Sequence, residues 1–227
     1  MSKRFLSTVR RRARLIHRRY VFGKAMRSVM ADPLTAVRAQ PELLDRLIYG
    51  WNNEAWSADR RYLGACAERA LESSGPFLEC GSGLSTILIG AVAKSQGKKL
   101  WTLEHCPEWM AQVQSCLDKY AIDNVTICQA PLRRYSGFEW YDVSTSELPE
   151  DFDLVICDGP PGETLGGRFG LLPTMQDYLV DGCTILLDDA HRPTEKKIID
   201  RWRAEYGVET TSTGQDSKFA IIRLPLR

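Results

Sequence analysis

Residues 77–86 read Phe77-Leu78-Glu79-Cys80-Gly81-Ser82-Gly83-Leu84-Ser85-Thr86, and this stretch decides the fold. A short apolar run, Pro76 to Leu78, closes on an acid. Two glycines follow, and then a helix-like stretch from Leu84 to Ala93. The pattern predicts a strand, a tight glycine turn and a helix. Glycine lacks a Cβ and accepts positive φ, so such a turn lets a ligand approach bare backbone. The start of the following helix offers N–H groups that have no partner within the helix.

Three more apolar runs end in the same way. Lys99 to Leu103 is closed by Glu104, Phe152 to Cys157 by Asp158, and Cys183 to Leu187 by Asp188 and Asp189. In open α/β sheets, ligands bind outside the carboxyl ends of the strands. Glu79, Glu104, Asp158 and Asp188 are therefore expected along one rim. An acid at the end of the second strand can accept both hydroxyls of a ribose. Each acid alone also reads as a solvated loop residue or a helix cap; four at corresponding strand ends point to a site.

The third position of the dinucleotide fingerprint G-x-G-x-x-G/A is Thr86 here, with Ser85 beside it, which counts against a nicotinamide or flavin dinucleotide. The run Glu-x-Gly-x-Gly-x-Ser-Thr instead resembles the first motif of class I S-adenosylmethionine (SAM) dependent methyltransferases. The resemblance spans residues 58 to 225 and takes in Glu104, Phe-Asp-Leu-Val-Ile-Cys-Asp-Gly-Pro-Pro and Ile-Leu-Leu-Asp-Asp. It implies that Glu79 and the backbone of Gly81, Ser82 and Gly83 hold the methionine part of SAM, with Ser85 and Thr86 at the same turn, and that Glu104 holds the ribose. Where many members carry an acid near the adenine, this chain has Gln129-Ala130-Pro131, making Gln129 the candidate there.

Methyl transfer to a hydroxyl needs the acceptor placed in line and made nucleophilic, by a general base or a metal. Asp158, Asp188 and Asp189 resemble the magnesium site of catechol-type and sugar-type O-methyltransferases, and three hard oxygens at one rim suit Mg²⁺. Asp189 also reads as the cap of the helix after Pro193. Asp158, through that metal trio, and His191 are the catalytic candidates; His191, two residues beyond the acid pair, is the alternative to the metal as acceptor of the hydroxyl proton. His105, next to Glu104, is placed near the adenosine. Arg168 reads either as a clamp for an anionic acceptor or as a solvated residue in a loop.

The expected fold is α/β: a doubly wound, mostly parallel seven-stranded sheet closed by a C-terminal antiparallel hairpin, with a basic N-terminal helical extension. Strands are predicted near 77–80, 99–103, 125–129, 152–157 and 183–188. Helices are predicted near 84–95, 107–120, 169–180 and 193–206. Val208 to Ser212 and Lys218 to Leu224 read as the hairpin, joined by Thr213-Gly214-Gln215-Asp216. Ser57 is the expected N-cap of a helix from Ala58 to Glu72. Residues 57–227 form the expected SAM-dependent domain, and residues 1–56 a basic arm and helical linker, in which Pro41 to Tyr49 is the clearest helix. Trp51, Trp56 and Tyr62 read either as a lid on the cofactor rim or as core. The aromatic run Tyr135 to Asp142 reads as an added strand or as a wall for the acceptor.

The 227 residues, 44% of them hydrophobic, suffice for one packed core, and no apolar run is long enough to span a membrane. Seven scattered cysteines without a C-x-x-C pair favour free thiols, a reducing, cytoplasmic setting, and no structural zinc. The net charge of +1 conceals an asymmetry: residues 1–27 carry ten Lys or Arg and no acid, leaving 20 basic and 29 acidic residues, or −9, in the rest. Residues 4–22 predict a basic amphipathic helix, with Phe5, Val9, Ala13, Ile16 and Tyr20 at helical spacing. It reads as a solvated or body-packed arm, an anchor for an anionic membrane surface, a phosphate-binding arm, or a transit-like segment.

The function these features favour is SAM-dependent O-methylation of a small-molecule or saccharide-like acceptor, with Mg²⁺ as a candidate helper. The competing readings are an RNA methyltransferase using the basic arm, an aminopropyl transferase, and a non-catalytic SAM-binding or membrane-associated protein. The −9 body would repel nucleic acid phosphates, and no Asn-Pro-Pro-Tyr-like motif for base amines follows the fourth strand.

Overall fold

A computed structural model describes residues 3–53, 58–144, 146–212 and 218–226. Its centre is a seven-stranded sheet. The first half is β1 (Phe77–Cys80), β2 (Leu100–Glu104) and β3 (Val125–Gln129). The second half is β6 (Phe152–Cys157), β7 (Leu179–Leu187), β8 (Glu209–Ser212) and β9 (Ala220–Arg223). The spatial order is β3-β2-β1-β6-β7-β9-β8, with all pairs parallel except β7–β9 and β8–β9. The chain winds outward from β1 to β3, then returns to lay β6 against the other side of β1. A topological switch point therefore lies between β1 and β6, where a crevice opens at the strands' carboxyl ends. The small hairpin β4 (Leu132–Arg134) and β5 (Glu139–Tyr141) forms a separate two-stranded sheet.

Both faces of the sheet are covered, which explains why the central strands are almost continuously apolar. One apolar cluster includes Phe77, Ile87, Leu100 and Ile156, and the other Leu78, Leu103, Val155 and Ile185. The first face is covered by α4 (Arg60–Glu72), α5 (Leu84–Ser95) and α6 (Pro107–Lys119), and the second by α7 (Leu171–Met175) and α8 (Pro193–Tyr206) together with the β4–β5 hairpin. The Tyr135–Asp142 run is thus an added strand, with Trp140 and Tyr141 wholly buried.

The N-terminal region is more integrated than a linker. Helices α1 (Lys3–Ala31), α2 (Pro33–Ala39) and α3 (Pro41–Trp51) place Phe22, Met26, Val29, Leu43 and Leu47 in the same buried cluster as Ile87 and Leu88 of α5. One buried cluster therefore draws on residues from both 1–53 and 58–227. Phe22, Ala25, Met26 and Val29 of α1 are buried; Val9, Ile16 and Tyr20 are 48%, 68% and 62% exposed.

Three local expectations change. Helix α4 begins at Arg60, because the Asp59 carboxylate caps it, accepting from the N–H groups of Arg61 at 2.8 Å and Tyr62 at 3.0 Å; Ser57 lies outside the described residues. The single helix expected over 169–180 is instead a 3-10 turn at Gly167–Gly170, then α7, then a second 3-10 turn at Gln176–Tyr178. Tertiary anchors hold this stretch: the Phe169 carbonyl accepts from Trp202 Nε1 at 3.0 Å, and a Cβ on Gly170 would lie 2.7 Å from Trp140 Cβ. The strand expected at 183–188 is β7 and starts at Leu179, its pairing with β6 irregular between Phe152 and Leu154. Both hairpin strands form, and the Thr213–Asp216 connection lies outside the described residues.

Candidate active site

Strand register lines up the rim. Cys80 pairs with Leu103 and Cys157, Glu104 with Gln129, and Cys157 with Leu187. One residue beyond those pairs, Gly81, Asp158 and Asp188 follow β1, β6 and β7, level with Glu104 at the end of β2. A cleft of about 590 Å³ opens above this row, within the range of small-molecule sites, about 300–1,000 Å³.

The glycine turn forms one wall. Gly81 has φ +90°, and a Cβ there would sit 3.0 Å from the Gly159 backbone, so the β1 and β6 turns touch only because both residues lack side chains. Glu104 braces the turn: its carboxylate accepts from Ser82 N at 3.0 Å, Ser82 Oγ at 2.7 Å and Cys106 N at 2.8 Å. His105 Nδ1 lies 3.2 Å from the same carboxylate. Trp109 Nε1 donates to the Ser82 carbonyl at 2.6 Å, and its ring meets Trp51 edge-on at 5.9 Å. Trp51 therefore supports the rim from behind. Tyr62 is core, its hydroxyl donating to the Leu186 carbonyl at 3.1 Å, and Trp56 lies outside the described residues.

Glu79 is not on the rim. Strand β1 continues through Cys80, so Glu79 falls in the row of Thr102 and Ile156 and is wholly buried beneath the turn. Thr86 Oγ1 donates to its carboxyl at 2.6 Å and accepts from Gly83 N at 2.8 Å, tying acid, turn and α5 together. Burial pushes the Glu79 carboxyl up to about 7, against the lowering effect of the Ser85, Thr86 and Thr102 hydroxyls. Glu79 and Thr86 position the turn; the residues of the turn that line the cleft are Gly81, Ser82, Gly83, Leu84 and Ser85.

The opposite wall gathers Asp158, Asp188 and Asp189, whose carboxylate oxygens lie within 4.8 Å of one another. Arg168, only 3% exposed in its side chain, enters this group. Its Nη2 donates to Asp158 Oδ1 and Asp189 Oδ2, both at 3.0 Å, and to the Asp158 carbonyl at 2.6 Å; Nη1 donates to the Asp188 carbonyl at 2.6 Å. Arg192 Nη1 adds a second contact to Asp189 Oδ2 at 2.9 Å. Arg168 is thus not a solvated loop residue; it lines the cleft with its guanidinium turned onto the acids. Burial works against its charge, and the carboxylates of Asp158 and Asp189 overcome this and hold the guanidinium above its ordinary pKa. Burial and the mutual repulsion of the acids raise Asp158; burial raises Asp188 to about 6. The acids converge as the sequence suggests, but the cation among them is an internal guanidinium. A divalent ion here would compete with Nη2 for the Asp158 and Asp189 carboxylates.

Residues 78–190 match a family model described as a methyltransferase domain. The chain contains a methyltransferase domain with the class I SAM-dependent methyltransferase fold. Solved structures similar to it carry the same fold. An SAH-bound methyltransferase of Podospora anserina, PaMTH1, superposes with a TM-score of 0.57 at 15% identity, covering 91% of this chain and 88% of that one. An O-methyltransferase of Bacillus cereus in complex with SAH gives 0.57 at 14% identity, covering 82% and 90%. The O-methyltransferase TomG of Streptomyces achromogenes, in complex with SAM and involved in tomaymycin synthesis, gives 0.56 at 14% identity, covering 91% and 90%. No curated protein matches the sequence.

The methyltransferase's cleft also contains a residue whose role the sequence left open. Tyr141 is wholly buried and lines the cleft, and its hydroxyl has no hydrogen-bond partner among the described residues. A Cβ on Gly159 would lie 2.3 Å from that hydroxyl, so the phenol fills the space a side chain would take. Burial first, then nearby acidic groups, raises its pKa and keeps it a donor. An unpaired buried donor costs about 1–3 kcal/mol, and a SAM ribose, carboxylate or adenine nitrogen would relieve that cost; the residues present fit the cofactor. Two sequence candidates stand apart. Gln129 is exposed at the end of β3, and His191 is exposed in the turn after β7; neither lines the cleft, and Arg192 does so instead. The signals for Tyr141 and Arg168 were present, as an aromatic in a dense run and an arginine between glycines, but neither pattern says which way a side chain turns.

Proposed function

We propose that this methyltransferase methylates a hydroxyl oxygen of a small-molecule or saccharide-like acceptor, without a divalent metal. The observation that carries the reading is the juxtaposition, across one cleft, of the Glu104-braced glycine turn and the Arg168-neutralised acid trio. Similar folds named as O-methyltransferases support the oxygen assignment. Bound at the turn, SAM supplies an electrophilic methyl group on its sulfonium. Glu104 and the Gly81–Gly83 backbone orient the ribose and methionine parts, and Tyr141 donates from the cleft floor. Asp158 keeps a quarter of its side chain open to the cleft and faces the acceptor. The Asp158–Asp188 carboxyl pair receives the proton the hydroxyl gives up, while Arg168 fixes the Asp158 carboxylate and the Asp188 backbone carbonyl and limits the repulsion among the acids. The reading gives His191 no proton to move.

Two measurements test it. Calorimetry should show SAM or SAH binding that Glu104→Ala weakens about ten- to a hundredfold, because about 1.5–3 kcal/mol of charged hydrogen bonding is lost; tight NAD binding without SAM binding would reject the cofactor assignment. Methyl incorporation from labelled SAM into extract-derived small molecules should proceed equally in excess chelator and in added Mg²⁺. Turnover abolished by chelator and restored by Mg²⁺ or Mn²⁺ would return the acid trio to a metal role.

A further inference from the structure

Helix α1 carries two apolar faces, and only one is used by the fold. The face toward the body is Phe22, Ala25, Met26 and Val29, all buried. At 3.6 residues per turn, Val9, Ala13, Ile16 and Tyr20 fall within an arc of about 60°, roughly opposite that face. All four are exposed. The same turn angle places Arg12 and Arg19 along one edge of this stripe and Arg10 and Lys24 along the other, and these four are exposed as well. Helix α1 is 29 residues long, or about 43 Å, and Val9, Ile16 and Tyr20 on it stay outside the core.

We propose that the outer face of α1 is a docking surface for an anionic phospholipid membrane. Charge complementarity names this occupant. Residues 1–27 hold ten basic residues and no acid, against −9 on the rest of the chain, so an anionic surface attracts α1 and repels the body. The helix therefore lies in the interface plane with the body held away from it. The stripe favours lipid over nucleic acid, which offers the same phosphate charge: three of its four residues, Val9, Ala13 and Ile16, are aliphatic and gain only from an acyl boundary, and Tyr20 alone carries a ring that could stack on a base. Arginines on both edges can reach lipid phosphates while their stems remain along the stripe. Since the stripe faces away from the core, docking needs no rearrangement of the fold. Among the described residues no helix is long and apolar enough to cross a membrane, so the contact is peripheral.

The test is co-sedimentation of the full chain with vesicles of phosphatidylcholine and phosphatidylserine, and of phosphatidylcholine alone. Binding is expected only to the mixed vesicles. The charge-conserving variant Val9→Gln, Ile16→Gln, Tyr20→Gln should weaken it at least about tenfold, and Arg10→Gln, Arg12→Gln, Arg19→Gln by a similar factor with a shallower salt dependence. All six side chains are exposed, so both variants should keep the wild-type circular dichroism and SAM affinity. Absence of binding to mixed vesicles, undiminished binding by the apolar variant, or tighter binding to duplex RNA than to vesicles would each overturn the proposal.

Discussion

Arg168→Met is expected to destabilise the folded chain by about 3–5 kcal/mol, because it leaves buried carboxylates without their cation. Four donated bonds are lost, to Asp158, to Asp189 and to the carbonyls of Asp158 and Asp188. Arg192 cannot replace them, since it reaches only Asp189 and its side chain is 47% exposed. Arg168→Lys should recover only part of the loss, because an ammonium is a point charge and the site uses a planar fork on two turns at once. Adding Asp158→Asn and Asp189→Asn to Arg168→Met should restore a large share of the stability, the signature of a coupled ion network. Urea denaturation measures all four proteins. A loss below about 1 kcal/mol for Arg168→Met, the range of an exposed ion pair, would contradict the buried network.

The second large effect concerns Glu79. Its carboxyl titrates at about 7 in the folded chain, against an ordinary 4.5. A raised folded pKa means that the folded state binds the proton more tightly than the unfolded state. The associated stability is fully present below about 4.5 and is lost as pH rises through about 7. The shift corresponds to a penalty on the order of 3 kcal/mol above pH 7. Glu79→Gln imitates the protonated form and keeps an acceptor for Thr86 Oγ1. It should therefore equal the wild type near pH 4.5 and exceed it in melting temperature at pH 8, measured on the ligand-free protein. Equal pH dependence of the two proteins would show that Glu79 does not titrate in this window.

Much of this was legible in the chain. The alternation of apolar runs with helical segments determines a parallel sheet covered on both faces, and the acids that close the runs mark its carboxyl rim. A strand ending at a glycine turn is a local pattern, as is an acid at the end of the next strand. Glu104 and Asp158 could therefore be placed before any coordinates. Glu79 shows where local reading stops. One further paired residue, Cys80, moves it from the rim to a buried place under the turn, because strand length is set by pairing with β2 and β6 and not by β1's own residues.

Only the tertiary structure decided the character of the acid wall. Asp158, Asp188 and Asp189 have the same sequence whether a metal or a guanidinium lies among them. The choice rests on Arg168, ten residues beyond Asp158, whose 3-10 turn is held by Trp140 and Trp202, residues distant in sequence. The same holds for Tyr141, which an aromatic-rich segment offers equally to a wall or to a core until the β4–β5 hairpin docks beneath Gly159. Sequence periodicity reports which residues share an element and its face, because those depend on neighbours along the chain. It is silent on which side chains from different elements meet, because that depends on how the sheet, the 3-10 turn and the hairpin pack against one another.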